Sequence, residues 1–150
     1  MTSRAREGND WNDFGCGISE SVVEAQADAM VSSGLAAAGY QYINIDDCWQ
    51  GGRNADGTIY PDATKFPNGL KVVADYVHSK GLKFGLYTDA GPKTCSNFEG
   101  SGGPETQDAQ TWASWGVDYV KDEKVERPGR CAATRPTPPW NDPYRERRIG

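Results

Sequence analysis

The sequence predicts an α/β fold built on a parallel sheet with crossover helices. Three observations carry the prediction. Apolar residues recur at helical spacing in three separate stretches. Each stretch leads through a glycine into a short apolar segment. Those glycines, Gly39, Gly81 and Gly116, stand 42 and 35 residues apart, room for one strand, one helix and their loops.

The first helix is predicted over Ser19–Leu35. Val23, Ala27, Met30, Val31 and Gly34 fall on one face, Ser19 suits the N-cap, and Glu20 and Glu24 suit the positive helix end. The second runs over Asn68–Lys80, with Asn68 as cap and Leu70, Val73, Ala74 and Val77 on its apolar face. The third, Pro104–Trp115, is weaker: Ala109, Trp112 and Ala113 share a face, and Pro104 suits the first turn. Glycine takes the left-handed conformation that ends a helix at little steric cost. The strands that follow begin Tyr40-Gln-Tyr-Ile-Asn-Ile, Leu82-Lys-Phe-Gly-Leu-Tyr and Val117-Asp-Tyr-Val-Lys. They are rich in β-branched and aromatic residues. Trp11–Cys16 supplies a candidate earlier strand.

Composition narrows the function. The chain has 150 residues, the size of one soluble domain. Its net charge of −5 argues against nucleic acid or an anionic membrane as partner. No apolar run approaches the roughly 18 residues of a membrane span, and the basic start lacks the apolar stretch of a signal peptide. The charge changes sign along the chain. Residues 1–121 carry 9 Lys and Arg against 16 Asp and Glu, whereas 122–150 carry 7 against 5 and five of the nine prolines. That last stretch reads as loop or disorder. Four cysteines, Cys16, Cys48, Cys95 and Cys131, form no CxxC pair, and His78 is the sole histidine, a poor basis for zinc. They permit one or two disulfides in an oxidising compartment, or four separate buried thiols.

A parallel sheet is either open or closed into a barrel. The phosphate-binding GxGxxG and GxxxxGK[ST] turns of open sheets are absent. Polar residues instead gather at the C-terminal ends of the predicted strands, where barrels carry their chemistry: Asp46 and Asp47, then Tyr87, Thr88 and Asp89, then Lys121. Adjacent carboxylates accept hydrogen bonds from vicinal sugar hydroxyls, and an aromatic ring covers the apolar face of a pyranose. Trp11, Trp49 and Tyr87 are the candidate rings. Successive strand residues point to opposite faces, so Asp46 and Asp47 serve one pocket only if the strand has ended. Mg²⁺ or Ca²⁺ is the other use of such a cluster, but the DxDxDG spacing of a calcium loop is lacking.

These residues form longer motifs: Asn9-Asp-Trp-Asn-Asp-Phe-Gly-Cys, Tyr40-Gln-Tyr-Ile-Asn-Ile-Asp-Asp-Cys-Trp, and Leu82-Lys-Phe-Gly-Leu-Tyr-Thr-Asp-Ala-Gly with Thr94-Cys95. In this order they resemble the melibiase-type alpha-galactosidases of glycoside hydrolase family 27, over about residues 9–121. The resemblance implies the N-terminal half of a (β/α)8 TIM barrel in residues 1–121, with 122–150 an irregular tail outside it. It implies retaining hydrolysis of terminal α-galactosyl residues, with no metal or organic cofactor and α-galactoside sugars as partners. Asp46 and Asp47 match the pair that binds sugar hydroxyls, Trp11 the stacking tryptophan, and Tyr87 and Lys121 further pocket residues. Cys16 and Cys48 match a disulfide pair. Cys95 matches a pocket-lining cysteine normally bonded to one just after the nucleophile. The family also suggests secretion.

The chain departs from the family after Lys121. Where the family reads Lys-Tyr-Asp-x-Cys, this chain reads Lys-Asp-Glu-Lys-Val, so Glu123 holds the nucleophile's position and Val125 the cysteine's. Asp122 is one residue short, and a one-residue slip on a strand turns a side chain to the other face. Glu123 keeps the facing but carries one more methylene. The acid/base residue lies on a later strand in the family, and a whole barrel needs about 250 residues. The expectation is therefore a truncated or frameshifted form with little activity alone, or a galactose-binding fragment, or a nonfunctional product. Open sheet edges are an expected route to self-association. The residues before position 9 read as foreign to the family.

Overall fold

The structure is a computed structural model that describes residues 6–9, 14–123 and 145–148. Strand β1 (Arg6–Asn9) precedes a short 3-10 turn at Gly15–Gly17 and helix α1 (Glu20–Ser32). Then come β2 (Tyr40–Ile45), the hairpin strands β3 (Gln50–Arg53) and β4 (Ile59–Pro61), α2 (Leu70–Ser79), β5 (Lys83–Asp89), α3 (Glu105–Trp115), β6 (Tyr119–Glu123) and β7 (Arg145–Arg148). The main sheet has the order β1-β2-β5-β6-β7. Its first three pairings are parallel, as the strand–helix repeat predicts.

Two helices form largely as their sequences direct. The Ser19 side chain accepts from the Val22 amide at the start of α1. Val23, Ala27 and Met30 are buried, but Val31 is 44% exposed. Val31 lies some 80° round the helix from Val23, at 100° per residue, so it falls off the buried stripe. In α2 all four predicted residues, Leu70, Val73, Ala74 and Val77, are buried. Asn68 does not cap it. Gly69 holds that place at φ 80°, and the Asn68 side chain donates instead to Glu20, tying the starts of α1 and α2 together. In α3 Trp112 is buried while Ala113 is exposed; the second buried residue is Asp108.

The core lies between the sheet and these helices. Ile43, Ile45, Phe84, Leu86 and Val120 point at the helices and pack with Val23, Val73, Val77 and Trp112. The alternate residues point to the opposite face. Register sets Asn44 beside Gly85 and Gly85 beside Tyr119. Gly85 is required there, since a Cβ would run into the Asn44 side chain and the Tyr119 ring.

Three segments differ from expectation. The first strand is Arg6–Asn9, which begins in the residues that read as foreign and ends on the first residue of the family motif, while Gly15-Cys16-Gly17 form a 3-10 turn rather than part of a strand. The β3–β4 hairpin was not predicted, because Gln-Gly-Gly-Arg has poor strand propensity; Asp56-Gly57 between the strands was the available turn signal. The tail is not loop throughout: Arg145–Arg148 pairs antiparallel with β6, Lys121 opposite Glu146 and Asp122 opposite Arg145. This pairing satisfies backbone groups along the outer edge of β6 that a lone edge strand would leave to water. Among the described residues no helix is long and apolar enough to cross a membrane.

Candidate functional site

The helix-averted face of the sheet brings polar residues together at its carboxyl end. Tyr87 pairs with Lys121 and Asp89 with Glu123 in register. Asp46 follows directly on Ile45, the partner of Leu86, so it meets Tyr87 and Lys121 at the same level. Strand β2 has ended by then. The chain turns through Cys48 at φ 77°, and this lets both Asp46 and Asp47 stay at the site. Both are buried. The expected turn after Ile45 is therefore present.

One network joins these groups. Lys121 Nζ lies 2.9 Å from Asp46 Oδ2 and 3.1 Å from Glu123 Oε1. The Tyr87 hydroxyl donates to Glu123 Oε2 at 3.1 Å. Asp46 Oδ1 accepts from the Asp47 amide at 2.8 Å. Asp47 accepts from the Cys48 amide through Oδ1 and from the Ser96 amide through Oδ2. Strand β6 continues unbroken through Asp122 to Glu123. Alternation therefore puts Glu123 on the Lys121 face and Asp122 on the other, as the slip argument predicts.

Two groups in the network have displaced proton affinities. Burial, then the charges of Glu123, Asp47 and Asp89, raise the Tyr87 hydroxyl well above its ordinary 10.0. Burial pulls Lys121 down, but Asp46 and Glu123 outweigh it and leave its ammonium above the ordinary 10.5. Both folded values exceed the unfolded ones. Each group thus contributes stability that is whole below about pH 10 and is lost as pH rises through the folded value. Urea midpoints are expected to hold steady to about pH 9.5 and then fall, less steeply in Tyr87→Phe. A midpoint unchanged to about pH 11 would contradict the linkage.

The other candidates divide. Trp49 is not a sugar-stacking ring. It is fully buried, its Nε1 donates to the Tyr87 carbonyl at 2.8 Å, and its ring meets Trp115 edge-on. Its place is structural because the turn at Cys48 swings it under the site. The Tyr87 ring is also covered, with Lys121 Nζ 5.4 Å from its centre. Trp11 lies outside the described residues. Cys16 and Cys48 are joined in a disulfide, closing 32 residues. Cys95, half-buried beside Ser96, is disulfide-bonded too. Cys131 lies outside the described residues. Among the described residues no group of three or more His, Cys, Asp or Glu is placed to hold a metal.

Sequence reasoning missed two anchors. Lys65 donates to the Cys48 carbonyl at 2.8 Å, fixing the turn that carries the aspartates. Arg53 forms a two-pronged pair with Asp108, 55 residues away. No local pattern marks either contact.

The family model described as alpha galactosidase A matches residues 8–128. The chain is 60% identical over 113 residues to alpha-galactosidase A of Cellvibrio japonicus, covering 75% of this chain and 28% of that one. It is 58% identical over 132 residues to the alpha-galactosidase of Cyamopsis tetragonoloba, covering 87% and 32%. Among solved structures it is similar to the Saccharomyces cerevisiae alpha-galactosidase with raffinose, at a TM-score of 0.79 and 42% identity, covering 80% of this chain and 26% of that one. The chain thus spans about a third or less of the length of these relatives.

Proposed function

Because the chain belongs to the glycoside hydrolase family 27 alpha-galactosidases, we propose that it forms one side of an α-galactoside pocket and, alone, binds galactose while hydrolysing galactosides poorly. In this reading it corresponds to the N-terminal half of the TIM barrel of those enzymes. Asp46, Asp47 and Lys121 contact sugar hydroxyls, Tyr87 shapes the pocket floor, Cys95 lines it, and Trp11 covers the sugar ring. The observation that carries the reading is the Asp46–Lys121–Glu123–Tyr87 network on a single face at the strand ends. Buried carboxylates held by amides and an ammonium are ready-made acceptors for hydroxyls, at little cost in reorganisation. The Saccharomyces relative was solved with raffinose, which supports a galactoside as the ligand class.

Retaining hydrolysis needs two carboxyl groups about 5–5.5 Å apart, a nucleophile and an acid that later acts as base. Glu123 stands at the nucleophile's place. It is already engaged by Lys121 and Tyr87, and its extra methylene shifts the carboxylate by about 1 Å, a misplacement that can cost about 10²-fold. In the family the acid comes from a later strand than those that match here.

The test pairs two measurements on the purified chain. Titration calorimetry is expected to detect galactose, with binding lost in Asp46→Ala. Hydrolysis of nitrophenyl α-galactoside is expected to run at least about 10²-fold below that of a full-length family member. Folded protein that ignores galactose would overturn the binding reading. Turnover equal to the full-length enzyme would overturn the argument from Glu123.

A further inference from the structure

The segment 90–103 links β5 to α3 and folds back on itself. The Gly100 amide donates to the Pro92 carbonyl, the Thr94 amide to the Phe98 carbonyl, and Lys93 forms a bridge with Glu99. Ser96 sits near the tip of this fold, and its amide donates to Asp47 Oδ2 at 2.9 Å. The position of the tip therefore sets one of the two amide donors that orient Asp47.

The base of the fold is held from the hairpin. Arg53 of β3 reaches Asp108 of α3 through both prongs, Nη1 to Oδ1 and Nη2 to Oδ2, each at 2.7 Å. The same guanidinium donates to the Gly100 carbonyl at 2.8 Å and to the Gly57 carbonyl at 2.9 Å. Asp108 is fully buried and accepts further from Ser101 Oγ, which lies 2.8 Å from Thr88 Oγ1 on the helix side of β5. The Ser101 amide donates to the Asp89 carbonyl at 2.8 Å. A planar fork fixes direction as well as distance, which an ammonium cannot do.

Resting on the pocket reading above, we propose that Arg53 and Asp108 are positioning residues for the sugar-binding aspartates. Their pair clamps the returning leg of the 90–103 segment so that the Ser96 amide meets Asp47. Neither Arg53 nor Asp108 touches Asp46 or Asp47; both act through Gly100, Ser101 and the fold between them.

The test uses the whole chain with Arg53→Lys and with the apolar pair Arg53→Met/Asp108→Leu, which removes both members of the pair together so that Asp108 is not left as a buried charge without its partner. Amide hydrogen exchange is read at Ser96 and, as control, at Phe84 and Leu86 in β5. Galactose affinity is read alongside. In folded variants Ser96 is expected to exchange about tenfold faster and galactose to bind about tenfold more weakly, the worth of one charge-assisted hydrogen bond, while the β5 amides keep their protection. Unchanged Ser96 exchange in either folded variant overturns the proposal, and so does Ser96 loosening with galactose affinity intact. If the unaltered chain binds no galactose, the pocket reading has failed, and Ser96 exchange still decides whether the clamp orders the tip.

Discussion

Trp49→Ala is expected to leave the chain unfolded at ordinary temperature. Among the described residues Trp49 is the largest fully buried side chain, and removing a buried tryptophan costs about 3–5 kcal/mol. The loss goes beyond apolar area. Its Nε1 is the donor to the Tyr87 carbonyl, and its ring is the edge partner of Trp115. It also directs the chain between the Cys48 turn and the hairpin, where its own carbonyl accepts from the Asp62 amide. A chain this small has a total stability near the low end of about 5–15 kcal/mol, so the substitution removes most of it. Trp49→Phe keeps much of the packing and gives up mainly the N–H donor, at about 1–3 kcal/mol. Urea unfolding followed by far-ultraviolet circular dichroism separates the two. A cooperative Trp49→Ala transition close to that of the parent would show that the site does not rest on this ring.

Lys121→Met is expected to disable the site while sparing the sheet. The methionine fills the space of the aliphatic stem but removes the ammonium between Asp46 and Glu123. Removing one member of a buried pair leaves the other uncompensated, which costs about 3 kcal/mol or more. Here two carboxylates lose the same cation and face each other. Galactose affinity is expected to fall at least about tenfold, since the remaining groups lose both a donor and their alignment. Lys121→Arg restores the charge but not the compact geometry, and should recover stability more than binding. Calorimetry and thermal melts of all three proteins at neutral pH check these outcomes. A Lys121→Met protein that binds galactose like the parent would remove this lysine from the pocket.

Much of the frame was legible along the chain. The strand–helix repeat marks Tyr40–Ile45 and Lys83–Asp89 as parallel strands, and the α2 stripe from Leu70 to Val77 marks its buried face. Strand periodicity also separates Glu123 from Asp122, and a pocket that holds both Asp46 and Asp47 requires the turn that Cys48 makes. Other features were hidden for identifiable reasons. Val31 lies at the margin of a stripe whose width depends on what packs against it. Trp49 reads as a sugar-facing aromatic until the turn sends it inward. Arg-Glu-Arg-Arg has no apolar alternation, and its strand exists only because β6 offers an edge.

The amino-acid order on its own determined the strand–helix repeat, the family motifs and the side of each strand on which every polar residue stands, because backbone geometry imposes periods of 2 and 3.6 on any chain. Tertiary structure alone decided the partners: Lys121 against Asp46 across 75 residues, Arg53 against Asp108 across 55, and Ser96 against Asp47 across 49. Those contacts depend on how far each strand slides past its neighbour and where a loop returns. That is a matter of summed packing over the whole sheet, which no local stretch encodes.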